Sequence, residues 1–129
     1  MSDRLRISII DDDRPFRESM RRLMRSLGYI ADAFPSAADF LASSSLGETS
    51  CLIADVHMPV MTGPELFRHL VRIGKPIPTI LVTAFPREVD RRGALADGVV
   101  CYLRKPINEQ NLKECIRAIL AAGEAPAAS

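Results

Sequence analysis

A doubly wound α/β sandwich, five strands alternating with five helices, is the fold class this sequence predicts, and two observations carry it. Short apolar runs recur along the chain, each followed by a segment whose apolar residues fall at helical spacing, in units of about 25 residues. Such alternation implies right-handed crossovers and a parallel sheet covered on both faces. The runs also stop abruptly in charge or hydroxyl: ISII runs into Asp11, Asp12 and Asp13, CLIA into Asp55, TILV into Thr83, and VVCYLR into Lys105-Pro106. The carboxyl ends of parallel strands converge on one edge, so these side chains meet in one pocket.

The elements follow in order. Leu5 to Ile10 reads as a buried strand. Phe16, Met20, Leu23, Met24 and Leu27 then mark one face of a helix that Gly28 closes. Tyr29 to Phe34 alternates as a second strand, Ser36 caps a short helix carrying Phe40 and Leu41, and LASSSLGETS is a polar connection. Cys51 to Ala54 forms the third strand, and the loop through Met58, Pro59 and Gly63 leads into a helix carrying Leu66, Leu70 and Val71. Thr79 to Val82 is a fourth strand, Pro86 to Ala96 a less apolar helix, and Val99 to Leu103 a fifth strand. Leu112, Cys115, Ile116, Ile119 and Leu120 line the last helix, after which AAGEAPAAS loses periodicity. Residues 1–121 therefore read as one domain, and 122–129 as a disordered tail or a truncated linker.

Composition bounds the function. A chain of 129 residues, 47% hydrophobic and 26% charged, buries a single core without staples. A net charge of +1 argues against a nucleic-acid surface as its main role. Arg14, Arg17, Arg21, Arg22 and Arg25 recur at helical spacing and read as a solvated face. Cys51, Cys101 and Cys115 lack metal spacing and read as small buried hydrophobes in a reducing compartment. MSDRLRISII has no leader pattern and no run is long enough to span a membrane, so a cytoplasmic location and no membrane contact are expected.

Three carboxylates, a hydroxyl and an ammonium in one pocket suit a divalent cation and a phosphoryl group. IIDDD, LIADVHMPVMTG, ILVTA and CYLRKP, in this order and at these separations, resemble the receiver domain of two-component response regulators over roughly residues 5–121. The chain looks most similar to receivers of the FixJ/NarL type. The resemblance implies a five-stranded sheet in the flavodoxin-like order 2-1-3-4-5. It also implies a switch rather than an ordinary enzyme: Asp55 accepts a phosphoryl group from the phosphohistidine of a sensor histidine kinase or phosphotransfer protein. Mg²⁺ would be held by Asp12, Asp55 and the backbone carbonyl of His57, with Asp11 acting mainly through water. Lys105 would pair with Asp55 and later with a phosphoryl oxygen, and Thr83 would donate its hydroxyl to another. Tyr102 matches the aromatic switch position, and Pro106 would fix the backbone after Lys105 with a peptide bond that is often cis in the family.

His57 departs from the residues more usual two positions after the acceptor. It is either an exposed loop histidine or a group that positions water near the phosphoryl group, and bulky Phe85 is placed to screen water from the other side. His69 reads as structural or solvent-facing. Phosphorylation is expected to remodel the face of the fourth helix, fifth strand and fifth helix, where Ala96, Val99 and Val100 would leave an apolar patch for a second copy or a partner. Three other readings compete. An aspartyl-phosphate phosphatase could use Asp11 and Asp13, but Arg14-Pro15 and the Asp55 motif fit the receiver better. A flavin-binding domain needs a phosphate-cradling loop where DDDRP stands, whose carboxylates would repel it. A phosphorylation-independent interaction module would have no use for the complete acidic, Thr and Lys set.

Overall fold

The computed structural model describes residues 5–124, without the side chains of 123 and 124. Strands β1 (Arg6–Ile10), β2 (Ile30–Phe34), β3 (Cys51–Asp55), β4 (Thr79–Thr83) and β5 (Cys101–Arg104) pair in parallel in the order β2-β1-β3-β4-β5. The intervening helices are α1 (Arg14–Ser26), α2 (Ala37–Leu41), α3 (Gly63–Arg72), α4 (Glu88–Asp97) and α5 (Glu109–Glu124), with a 3-10 turn at Ser44–Glu48. The expected fold class and strand order are both present. α5 continues to Glu124, and the rest of the tail expected at 122–129 lies outside the described residues.

Side chains of the central strands alternate between two apolar clusters, as a sheet covered on both faces requires. Ile7, Ile9, Ile53, Ile80 and Val82 pack with Met20 and Met24 of α1 and with Leu112 and Ile116 of α5. Ile10, Leu52, Ala54 and Leu81 pack on the other face with Phe40 of α2, Leu66 and Leu70 of α3, and Ala94 of α4. β3 is buried at every position, which puts its last residue, Asp55, at the middle of the sheet edge.

Local sequence explains where the elements begin and end. Pro15 sits in the first turn of α1, and Gly28, at φ +97°, turns the chain out of it in the left-handed region that an L side chain avoids. Ser36 accepts from the Asp39 amide to start α2, and Thr62 and Glu65 form a reciprocal capping box at α3. Several boundaries differ from the sequence reading. α4 begins at Glu88 because residues 84–87 form the turn out of β4, and β5 begins at Cys101 because the Val99 amide still bonds back to Ala94. Val99 is buried in the core, so it is no part of an exposed patch; the apolar surface of this region is instead Phe85, Val89 and Leu95.

One further expectation is corrected. The arginine face of α1 is solvated at Arg14, Arg22 and Arg25, as expected, and it also reaches its neighbours: Arg17 donates to the Asp11 carbonyl, Arg25 donates to the Ala31 carbonyl on edge strand β2, and Arg21 bonds Glu18 one turn back on α1. The long stems of Arg17 and Arg25 let their guanidinium groups reach backbone beyond the helix. Cys101 and Cys115, by contrast, are not separate buried hydrophobes. The start of β5 faces the middle of α5 with the Cα atoms 6.3 Å apart, and a disulfide joins them, while Cys51 stays free and buried.

Candidate functional site

The polar strand ends meet as the sequence predicts, at the carboxyl edge of β1, β3, β4 and β5. Asp11 is fully buried just past β1, Asp55 is 7% exposed at the end of β3, and Thr83 is buried at the end of β4. Ligand oxygens of Asp11, Asp12 and Asp55 lie within 4.8 Å of one another, with Asp12 exposed toward solvent. Lys105, just past β5, reaches between the acids: its Nζ donates to Asp11 Oδ2 at 2.8 Å and stands 3.4 Å from Asp55 Oδ1. Its closer partner is therefore Asp11 rather than the Asp55 pairing that the resemblance implies. The Lys105-Pro106 peptide bond is cis.

Both carboxylate oxygens of Asp11 are engaged, since Oδ1 accepts from the Asp13 amide at 2.8 Å. Asp13 serves here through its backbone. Burial pushes the Asp55 carboxyl above the usual range, and the charges of Asp11 and Asp12 add to this against the opposing Lys105. Lys105 is itself raised: burial works to lower it, but the hydrogen bond and charge of Asp11, then those of Asp55, outweigh that. Three carboxylates around one ammonium leave the pocket with surplus negative charge. Hard oxygen donors in that excess match the requirements of Mg²⁺, which keeps several waters and binds one or two carboxylates.

Sequence reasoning missed three supports of this site. Phe16, counted only as a helix-face residue, lies under Lys105 with Nζ 4.2 Å from its ring centroid, a cation–π contact. Arg17 ties α1 to the Asp11 carbonyl. Gly63 opens α3 so close to β3 that a Cβ there would stand 2.4 Å from the Asp55 carbonyl oxygen, so only glycine fits. The last carried a sequence signal, a glycine at the start of a predicted helix; the first two depend on side-chain reach.

Around the pocket, Thr83 Oγ1 accepts from the Phe85 amide at 3.0 Å, and the Phe85 ring is 74% exposed. His57 is exposed and lines the cleft between α3 and α4 with Val89, Asp90 and Tyr102. Tyr102 packs against the core beneath α3 and α4, and its hydroxyl is enclosed with no partner at hydrogen-bond geometry among the described residues. Burial raises its pKa first and the charge of Asp90 adds, while the nearby Arg87 backbone and guanidinium oppose. His69, half-buried on α3, meets Arg72 at 3.1 Å and takes no part in the pocket.

Residues 7–117 match the family model described as response regulator receiver domain. The chain belongs to this family. It is 37% identical over 121 residues to the response regulator protein TodT of Pseudomonas putida, an alignment that covers 93% of this chain and 53% of TodT. The chain thus spans about half the length of the curated relatives it matches. Among solved structures, a response regulator receiver protein from Burkholderia phymatum is 36% identical, with a TM-score of 0.77, covering 92% of this chain and 96% of that one. The FixJ-N crystal structure is 28% identical, with a TM-score of 0.81 over 98% of this chain and 99% of its own. This receiver domain belongs to the two-component systems, whose receivers bind Mg²⁺ at an acidic pocket. None of its described helices is long and apolar enough to cross a membrane.

Proposed function

We propose that this receiver is a phosphorylation switch, with Asp55 as phosphoacceptor. The observation that carries the reading is the placement of Asp55: a nearly enclosed carboxylate at the centre of the sheet edge, 3.4 Å from the Lys105 ammonium and beside two further acids. A carboxylate oxygen of Asp55 attacks the phosphorus of a phosphohistidine; the P–N bond breaks, its electron pair stays on the imidazole nitrogen, and an acyl phosphate forms. Enclosure strips water from the nucleophile, and Lys105 supplies a fixed positive charge for the incoming phosphoryl oxygens.

Asp12 and Asp55 would hold Mg²⁺ together with the backbone carbonyl of His57. Asp11, with both oxygens already engaged, would act through water. When bound, the ion neutralises charge on the acids and the phosphoryl group. Lys105 stays anchored by Asp11 and by the ring of Phe16, so it can turn toward a phosphoryl oxygen without leaving the pocket. Thr83, whose oxygen accepts from the Phe85 amide, donates its hydroxyl proton to a phosphoryl oxygen, which draws the β4–α4 turn inward. Tyr102, whose hydroxyl has no hydrogen-bond partner among the described residues, answers that movement by changing position. The face of α4, β5 and α5 is thereby altered, with Phe85, Val89 and Leu95 offering the apolar surface for a second copy or a partner.

In this reading the chain catalyses only its own phosphorylation and dephosphorylation, works in the cytoplasm, and makes no direct nucleic-acid contact. The receiver unit runs through Glu124, where the described part of α5 ends, rather than stopping at 121. The test is incubation with acetyl phosphate and Mg²⁺, followed by intact mass. The parent gains one phosphoryl group and Asp55→Ala gains none; equal labelling of the variant would sink the assignment.

A further inference from the structure

Cys101 and Cys115 stand apart from the acidic pocket and play no part in the phosphorylation chemistry. Cys101 opens β5 at the amino edge of the sheet, in register with Ile80 of β4, and Cys115 lies in the middle of α5 between Leu112 and Ile119. Their Cα atoms are 6.3 Å apart, within the span that a disulfide bridges without backbone movement. Both side chains belong to the apolar cluster under α1 and α5, so the sulfurs meet in a setting fixed by packing on both elements. The pairing closes a loop, fourteen residues in sequence separation, that contains the switch residue Tyr102 and the site residue Lys105.

We propose that Cys101 and Cys115 form a reversible dithiol–disulfide site, oxidised by a low-molecular-weight disulfide of the glutathione class and opened by a dithiol, that ties α5 to β5. Cys101, the more exposed of the two, is the thiol an external disulfide meets first. Its thiolate attacks one sulfur of the small disulfide, forming a mixed disulfide and releasing one small thiol. The Cys115 thiolate then attacks the Cys101 sulfur, releasing the second small thiol. The protein is oxidised by two electrons, the small disulfide is reduced by two, and the protons lost from the cysteines end on the released thiols. Cys51 is a built-in control: it is fully buried in β3, and burial pushes its thiol up to about 12, so it does not compete.

The experiment uses the full chain, reduced and then equilibrated with oxidised glutathione, with free thiols blocked by iodoacetamide under denaturing conditions before mass analysis. The expected product carries one alkyl group, on Cys51, and peptide mapping links Cys101 to Cys115. Dithiothreitol restores three alkylation sites. The linked form should melt higher than the reduced form by about 10 °C, the effect of closing a loop of this length in the unfolded chain. Cys101→Ser and Cys115→Ser should each abolish the link and the shift, while Cys51→Ser keeps both. Three free thiols after oxidation, capture of glutathione by Cys51, or linked and reduced forms that melt together would each overturn the proposal. None of these readouts depends on phosphorylation, so the result stands apart from the fate of Asp55.

Discussion

The two edges of this sheet are built from the same strands and could hardly differ more. At the carboxyl edge, β1, β3 and β4 end in Asp11, Asp55 and Thr83, all buried, so polar groups have been drawn out of water to face one another. At the amino edge the same strands emerge from apolar packing: Leu5, Pro76, Ile77, Val100 and Ile119 line a groove, and a disulfide clamps β5 to α5. Burying carboxylates costs stability unless cations and hydrogen bonds compensate, and here one lysine serves two acids. The difference teaches a division of labour. One edge sacrifices stability to hold reactive charge, while the other supplies the packing that keeps the sheet intact.

Substitutions at the two edges should separate these roles. Ile77→Ala removes a buried side chain at the amino edge and should cost about 3 kcal/mol in urea unfolding. Labelling by acetyl phosphate under native conditions should be unaffected, and its loss in the folded variant would break the division. Gly63→Ala attacks the carboxyl edge, because the new methyl would stand 2.4 Å from the Asp55 carbonyl and 2.9 Å from Leu81 Cδ2. A cost of about 2 kcal/mol is expected from the overpacking, together with slower labelling as the end of β3 shifts. A variant as stable and as reactive as the parent would show that the edge is pliable.

The smallest effect concerns pH. The Asp55 carboxyl is raised in the folded protein, by burial first, so its contribution to stability is fully present below the ordinary aspartate pKa and is lost as pH rises through the folded value. Asp55→Asn, which has no charge to lose, should therefore melt higher than the parent at neutral pH in the absence of metal, with the gap closing as pH falls through the raised folded value toward the ordinary aspartate pKa and constant below it. A gap that widens on acidification would reverse the assignment of Asp55 as a destabilised acid.

Much of the carboxyl edge was legible because parallel strands announce their ends: IIDDD, ADV, VTA and LRKP each switch from apolar to polar within one residue. The strand order and the proximity of Asp11, Asp12, Asp55, Thr83 and Lys105 follow from that switch together with the family resemblance. What stayed hidden depends on reach and on closure between elements. The ring of Phe16 under Lys105 and the Arg17 bond to the Asp11 carbonyl are set by rotamers that helical spacing does not encode. Cys101 and Cys115 fall in two correctly recognised apolar patterns, but only their packing in space turns two hydrophobes into a pair. Val99 reads as a surface residue at the start of β5, whereas its amide belongs to the turn that ends α4 and its side chain is buried.

The Arg25 guanidinium resting on the Ala31 carbonyl has a consequence for assembly. β2 is an outer strand, and an unpaired row of amides and carbonyls there is a template on which another chain can add a strand. Arg25 occupies one of those acceptors, and Arg6 bound to Asp32 places a charged pair along the same strand. The opposite rim, β5, is four residues long and ends in exposed Arg104. Lateral growth of the sheet is thus discouraged on both sides, so copies of this domain can crowd together without zipping into a shared ribbon, and contacts between them are left to the helices.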